Sequence, residues 1–341
     1  MKTIFGNIGV YILPLSAKEL FGNKELLLQL CSSAIKKAKL LGAKVISLTG
    51  LLPAVTNHGE DIIKSENHNV KITTGYATLA ATMILSLKKS LNVFERDIIH
   101  ENIVILGIEG IGAATTELLL SEYEGIKKVS LCDISNKNYL MVNLKNKIHQ
   151  NYACDVQIIS FEKNILPSEF YEASIILYNI NIPEIIDIDL LKPGTMLVGI
   201  TEQGIFSKEK AIKRMLEKSD IVFMEGGFIE ASSAMEKYTY VPEYLNNTQF
   251  TTLYPQIFSK NEITGCILSS VLISKYKELK PIIGNIVDKN ESLKHLNILR
   301  QSFSGTSFRI NDFIISDEIL DYFKKTYRIN LFVNIYKDKL R

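Results

Sequence analysis

Tryptophan is missing from this chain, proline occurs only eight times in 341 residues, and cysteine only four times. Cys31, Cys132, Cys154 and Cys266 are scattered with no CxxC spacing, which excludes a disulfide framework and a structural zinc signature, and suits a reducing cytoplasm. An excess of charge of one sign is absent as well, with 39 basic residues against 37 acidic ones. A formal net charge of +2 gives no overall field to attract nucleic acid. Long apolar runs are lacking too. The opening stretch from Met1 to Pro14 is too short and too interrupted for a signal peptide, and the absence of any long uninterrupted apolar stretch predicts no transmembrane segment. Peripheral contact with a membrane surface stays open. There is no Walker loop, no GxSxG, no metal-ligand pattern and no internal repeat. With 46% hydrophobic and 22% charged residues, the chain has the makings of an ordinary globular protein of two or three domains.

What is present centres on Asn102-Ile-Val-Ile-Leu-Gly107-Ile-Glu-Gly110-Ile111-Gly112, followed by an apolar helical run to Leu120. A short apolar run reads as a buried parallel strand, and the glycines turn the chain into a helix beginning near Ile111. Gly107 allows a tight turn, Gly110 lets backbone approach a pyrophosphate, and Gly112 lets the helix pack closely on the strand. Phosphates would sit at the helix N-terminus, at Ile111, where the dipole favours negative charge. The next strand, Lys128 to Asp133, ends in an acid of the kind that takes the ribose hydroxyls of NAD and repels the 2′-phosphate of NADP. The alternative is a glycine turn that binds nothing.

Around this unit the pattern predicts an α/β protein. A Rossmann-type doubly wound parallel-sheet domain over 99–235 is flanked by an N-terminal α/β substrate segment over 1–98 and a mainly helical segment over 236–341. In the first segment a helix from Lys24 to Leu41 stops at Gly42, and the strand Lys44 to Leu48 leads into Thr49-Gly50, a strand-end loop where ligands collect in open α/β folds. Thr73-Thr74-Gly75-Tyr76 then opens an alanine-rich helix, and its hydroxyls can either meet a ligand or, for Thr74, cap the helix. The polar stretch from Asn92 to Glu101 reads as a boundary. Beyond Asp133, helices near 137–150, 186–191 and 208–217 alternate with strands near 155–160, 173–178, 195–200 and 221–224. The last strand runs into Glu225-Gly226-Gly227-Phe228-Ile229-Glu230, where the glycines line a strand end and the two carboxylates are either acid–base groups or plain surface charges. Further on, Ser259 and Glu262 have capping-box spacing, which predicts a helix from Ile263. Cys266 then falls within its first two turns, where it is either a thiol favoured as thiolate or a core residue. Helices without a site are expected after Lys280.

Taken in order, these motifs resemble the long-chain acyl-(acyl-carrier-protein) reductases of cyanobacteria over roughly residues 30 to 275. The shared pattern is the helix ending at Gly42 with its Thr49-Gly50 loop, Thr73-Thr74-Gly75, the turn from Gly107 to Gly112, Gly226-Gly227 with Phe228-Ile229-Glu230, and Cys266 in an apolar helix. The resemblance implies reduction of an acyl thioester, carried by an acyl carrier protein or coenzyme A, to an aldehyde with NADPH, through a cysteine thioester. Cys266 is then the nucleophile, Gly107, Gly110 and Gly112 hold the cofactor, and Thr74 and Gly75 line the site. This chain departs from the family in a glycine turn one residue shorter, in Tyr76 where an asparagine is expected, and in Asp133, which leans to NADH. Lys275, Lys277 and Lys280 could meet an acidic carrier protein or simply be solvated.

Two other functions fit the same fold. One is a dehydrogenase of the amino-acid or shikimate type, with direct hydride transfer and no covalent intermediate. It wants a proton-transfer residue, and His58, His68, His100, His149 and His295 occupy no evident strand-end motif. The other is a dinucleotide-sensing or partner-binding protein without catalysis.

Overall fold

The computed structural model describes residues 1–13, 15–65, 69–200, 204–236 and 261–328. The chain opens with a hairpin of β1 (Lys2–Thr3) and β2 (Gly6–Asn7), then α1 (Ala17–Gly22) and α2 (Lys24–Leu40). Next come β3 (Val45–Ser47), α3 (Leu52–Val55), α4 (Glu60–Ser65), β4 (Lys71–Thr73) and the long α5 (Tyr76–Phe94). The central series is β5 (Ile103–Leu106), α6 (Ile111–Glu122), β6 (Lys128–Ile134), α7 (Asn138–Asn151), β7 (Asp155–Phe161), β8 (Ile175–Asn179), β9 (Thr195–Ile200), α8 (Lys208–Lys218) and β10 (Ile221–Glu225). The remainder is β11 (Phe228–Ala231), β12 (Glu262–Thr264), α9 (Gly265–Lys275), α10 (Lys289–Leu299), β13 (Phe303–Gly305), β14 (Arg309–Ile310), β15 (Phe313–Ile314) and α11 (Asp317–Tyr327).

These elements form two units, each assembled from two stretches of chain. One holds Met1–Thr82 and Gly227–Ser304, the other Met83–Gly226 and Gly305–Arg341.

The second unit is built on a six-stranded sheet in the order β10-β9-β8-β5-β6-β7, every pairing parallel. Counted from β5, this is the doubly wound order 3-2-1-4-5-6 of dinucleotide-binding folds, whose direction of winding reverses between β5 and β8. The sequence dictates it through strands that are apolar on both faces: Ile103, Val104, Ile105 and Leu106 are all buried, as a parallel strand covered by helices requires. On one flank, Phe94 packs against Phe308 and Phe323, with ring centroids 5.0 and 4.8 Å away. Two buried ion pairs fasten the strand starts. Arg96 Nε donates to Glu101 at 2.7 Å and its Nη1 to the Gly194 carbonyl at 2.7 Å, while Arg214 makes two 2.9 Å bonds to Asp220.

In the first unit, β3 and β4 pair in parallel, with Ser47 opposite Thr73. Leu27, Cys31 and Ile35 from one face of α2 meet Leu48, Ile62 and Ile72 in its core. Gly42, just past the helix C-cap Leu41, has φ +90°, the left-handed conformation that ends a helix. A small sheet has β11 in the middle, and β11 pairs antiparallel with β12, Phe228 opposite Thr264.

The expected helix from Ile263 is corrected by this pairing. Residues Glu262–Thr264 are a strand, and α9 starts only at Gly265 with Thr264 as its N-cap. Alternation won over helical spacing because Ile263, fully buried, faces the core from a strand paired with β11. Ser259, half of the expected capping box, lies outside the described residues. The expected helix over 186–191 is a single 3-10 turn, Ile188–Leu190, begun by the Asp187 side chain accepting from the Asp189 N–H. The helices expected after Lys280 appear as α10 and α11.

Candidate functional site

The glycine turn forms in the second unit where the sheet order reverses. Gly107 follows β5 with φ +88°, and a Cβ there would lie 2.2 Å from the Asn179 carbonyl oxygen at the end of β8. Only glycine fits between the two strand ends. Gly110 is the N-cap of α6 at φ 41°, ψ −90°, so the helix starts at Ile111. A Cβ on Gly112 would fall 1.8 Å from the Gly107 carbonyl oxygen, which brings the first turn of α6 onto the strand end. This cradle, which any side chain would fill, is the fit expected of residues that hold a dinucleotide pyrophosphate at a helix N-terminus.

Asp133, near the end of β6, is held inward. Its Oδ2 accepts the Ile108 N–H and its Oδ1 the Ile134 N–H, each at 2.8 Å, and the residue has no exposed surface. Burial pushes its carboxyl up, while the Ile108 N–H and the nearby Lys137 ammonium act against that shift. Asp133 therefore ties the turn to β6. The charges beside it that solvent partly reaches include Lys137, whose Nζ is 2.9 Å from Glu109 Oε2 and 3.9 Å from Asp133 Oδ1, and Glu109 itself. Gly226, which the sequence placed in a strand-end motif, donates its N–H to the Gly199 carbonyl at 2.6 Å. Glu225 accepts from the Asn311 N–H at 3.2 Å.

The first unit gathers a second group. Cys266 is the second residue of α9, half-buried, with its Sγ 3.2 Å from Thr264 Oγ1. The three other thiols are buried. Burial pushes Cys31 and Cys154 up to about 11 and raises Cys132 further, so all three stay protonated at neutral pH. Gly75, at φ +74°, comes so close that a Cβ on it would be 3.0 Å from Cys266 Cα and 3.3 Å from Ser47 Oγ. Gly265 is equally constrained, since a Cβ there would meet Thr82 Cγ2 at 2.7 Å, and its N–H donates to the Gly227 carbonyl at 2.9 Å. Strand end, glycine turn and helix start thus converge on the cysteine backbone.

Thr73 and Thr74 both use their hydroxyls on backbone groups. Thr73 Oγ1 accepts the N–H groups of Ile282 at 3.1 Å and Gly75 at 3.3 Å, and Thr74 donates to the Ile282 carbonyl at 3.2 Å. Both fasten the segment before α10. Thr49 is half-buried and Gly50 exposed at φ +61°, in the turn that ends β3. Tyr76 is buried, and its hydroxyl shares a 2.8 Å hydrogen bond with His58 Nδ1. Sequence reasoning missed this pair. The one signal was the turn-prone run Asn57-His58-Gly59, which adopts positive φ at all three positions and leaves His58 half-buried. Lys275, a candidate carrier contact, donates to the Ile4 carbonyl and lies 5.0 Å from the centre of the Phe5 ring. Glu230 stands opposite Glu262 on the β11–β12 pair. His68 lies outside the described residues. Among the described residues no cluster of His, Cys, Asp and Glu could hold a metal ion, and no helix is long and apolar enough to cross a membrane.

No family model and no curated protein matches the sequence. Among solved structures, the chain is similar to shikimate 5-dehydrogenase from Listeria monocytogenes in complex with shikimate and NAD. The identity is 14%, over 60% of this chain and 73% of that one, with a TM-score of 0.30. It is also similar to L-tryptophan dehydrogenase from Nostoc punctiforme, at 14% identity over 60% of this chain and 55% of that one, TM-score 0.36. A third is the ligand-free 5-ketofructose reductase of Gluconobacter sp. strain CHM43, at 11% identity over 79% and 83%, TM-score 0.32. The chain spans about half the length of the tryptophan dehydrogenase. The fold assignment rests on the chain's own strand order and glycine turn.

Proposed function

We propose that the protein is an NAD(P)H-dependent oxidoreductase that reduces an acyl thioester to an aldehyde through an acyl-Cys266 intermediate, as the resemblance to cyanobacterial acyl-(acyl-carrier-protein) reductases implies. The observation that carries this reading is the contrast among the thiols: Cys266 alone is partly exposed, in the first turn of an 11-residue helix, and three are buried. A helix N-terminus favours thiolate over thiol, and thiolate attacks thioesters readily. Cys266 Sγ bonds to the acyl carbon, and the bond from that carbon to the carrier's sulfur breaks. The electron pair leaves with the carrier sulfur, which takes up a proton. The chemistry supplied by a bound nicotinamide dinucleotide is hydride donation to the acyl carbon, which frees the Cys266 thiolate as the aldehyde forms. Gly107, Gly110, Ile111 and Gly112 hold the pyrophosphate in this reading, and the carrier is an acyl carrier protein or coenzyme A.

Intact-mass spectrometry after incubation with a panel of acyl thioesters, followed by a chase with NADH or NADPH, tests it. The expected result is an acyl adduct mapping to Cys266 that disappears as aldehyde appears, and no adduct or aldehyde from Cys266→Ser with dinucleotide binding intact. Undiminished aldehyde formation by Cys266→Ser overturns it. A second reading, direct hydride transfer to a carbonyl or imine, is favoured by the His58–Tyr76 hydrogen bond, which offers a proton donor. Turnover that survives thiol blocking would select it.

A further inference from the structure

We infer that the Glu109–Lys137 ion pair sets the choice between a 2′-hydroxyl and a 2′-phosphate on the dinucleotide, and that Glu109 enforces it by withholding Lys137. This rests on the reading of the glycine turn as a dinucleotide cradle.

Sequence spacing assigns discrimination to Asp133, yet that carboxylate has no exposed surface and each of its oxygens already accepts a backbone N–H. The charged side chains that solvent reaches at this corner are Glu109, in the turn between Gly107 and Gly110, and Lys137, at the end of the short 3-10 turn that follows β6. A carboxylate inside a phosphate-binding turn is electrostatically costly for an anionic ligand unless a cation answers it. Lys137 does so at 2.9 Å, and stands 3.9 Å from Asp133 as well. Two carboxylates therefore share one ammonium, and the corner carries one net negative charge. A ribose hydroxyl is neutral and can donate to the Glu109 carboxylate, which solvent reaches. A 2′-phosphate brings a charge of roughly −2 and three acceptor oxygens. Its natural partner there is Lys137, and Glu109 holds that ammonium. A half-exposed ion pair of this kind contributes only modestly to stability, so removing it leaves the fold in place.

The experiment is direct titration of the full-length protein with NADH and with NADPH, following the fluorescence of the bound nicotinamide or the heat of binding, without any substrate. Wild type is expected to bind NADH about tenfold more tightly than NADPH, or better. Glu109→Gln should shrink that ratio at least about fivefold, mainly by tightening NADPH, and Lys137→Gln should widen it. The difference between NADH and NADPH should also shrink as salt rises from about 0.05 to 0.5 M. Binding of both dinucleotides with a ratio unmoved in Glu109→Gln overturns the inference alone. Tighter binding of NADPH by wild type also overturns it. Failure of a folded wild-type protein to bind either dinucleotide overturns the cradle itself, and the inference with it.

Discussion

His295 is 1% exposed, its Nδ1 lies 3.0 Å from Thr78 Oγ1, and its Nε2 has no hydrogen-bond partner among the described residues. Glu291 Oε1 stands 3.9 Å from that nitrogen, and Lys294 precedes it on α10. Burial, with a smaller push from the Lys294 ammonium, lowers its pKa from 6.5 to about 4. The unfolded chain takes up a proton near pH 6.5, and the folded chain does so only near pH 4. The stability tied to His295 is thus whole above pH 6.5 and drains away as pH falls toward 4. The full loss is on the order of 3 kcal/mol. Urea unfolding at pH 7 and pH 4.5 should show a steeper decline for wild type than for His295→Gln. Equal declines would sink this account. The identity of a buried imidazole and its Thr78 partner could not be read from sequence, because the two are separated by most of the chain and neither lies in a motif. Cys266 could be singled out from its helix position, but its standing among the four thiols depends on burial that only packing decides.

At the scale of elements, the glycine turn was the most legible feature, because a turn this tight leaves glycine no substitute. Gly112→Ala puts a methyl 1.8 Å from a backbone oxygen that has no side-chain freedom to yield. It should cost about 2–3 kcal/mol in chemical denaturation and weaken NADH binding at least about tenfold. Gly22→Ala, where nothing lies within 4 Å, is the matched control and should change neither. A Gly112→Ala protein with wild-type affinity would refute the close approach of α6 to the strand. The central strands were legible for a related reason, since a strand covered on both faces must be apolar throughout, and Thr195–Ile200 appears with the bounds its pattern predicts. The start of α9 was not. Ser259 to Glu262 mimics a capping box, while the pairing that makes Glu262–Thr264 a strand comes from β11, far away along the chain. Local pattern reports local structure, and a partner distant in sequence overrides it.

On the scale of the whole chain, long-range polar fastening decides what pattern cannot show. The stretch from Asn92 to Glu101 reads as a polar boundary, yet Arg96 and Glu101 have side chains only 3% and 0% exposed. Ser174 Oγ adds a 2.5 Å bond to Glu101, so the pair joins the end of α5 to the starts of β8 and β9. Removing one partner of such a pair leaves a buried charge. Arg96→Met should cost about 3–5 kcal/mol, and adding Glu101→Gln should restore a good part of it. A single variant within about 1 kcal/mol of wild type would show that the pair does not hold these strands.

Each unit is assembled from two stretches, and all of Met83–Gly226 separates the halves of the first. On a ribosome, β3 and β4 emerge early, but α9, which packs against β3, arrives only after that whole intervening segment has been made. At about 5–20 residues per second, the early half waits on the order of ten seconds with apolar surface uncovered. Apolar surface left open for that interval is of the kind chaperones cover. Strict domain-by-domain maturation is closed to the chain, because the first unit is completed at Ser304 only after the long first stretch of the second has already been made.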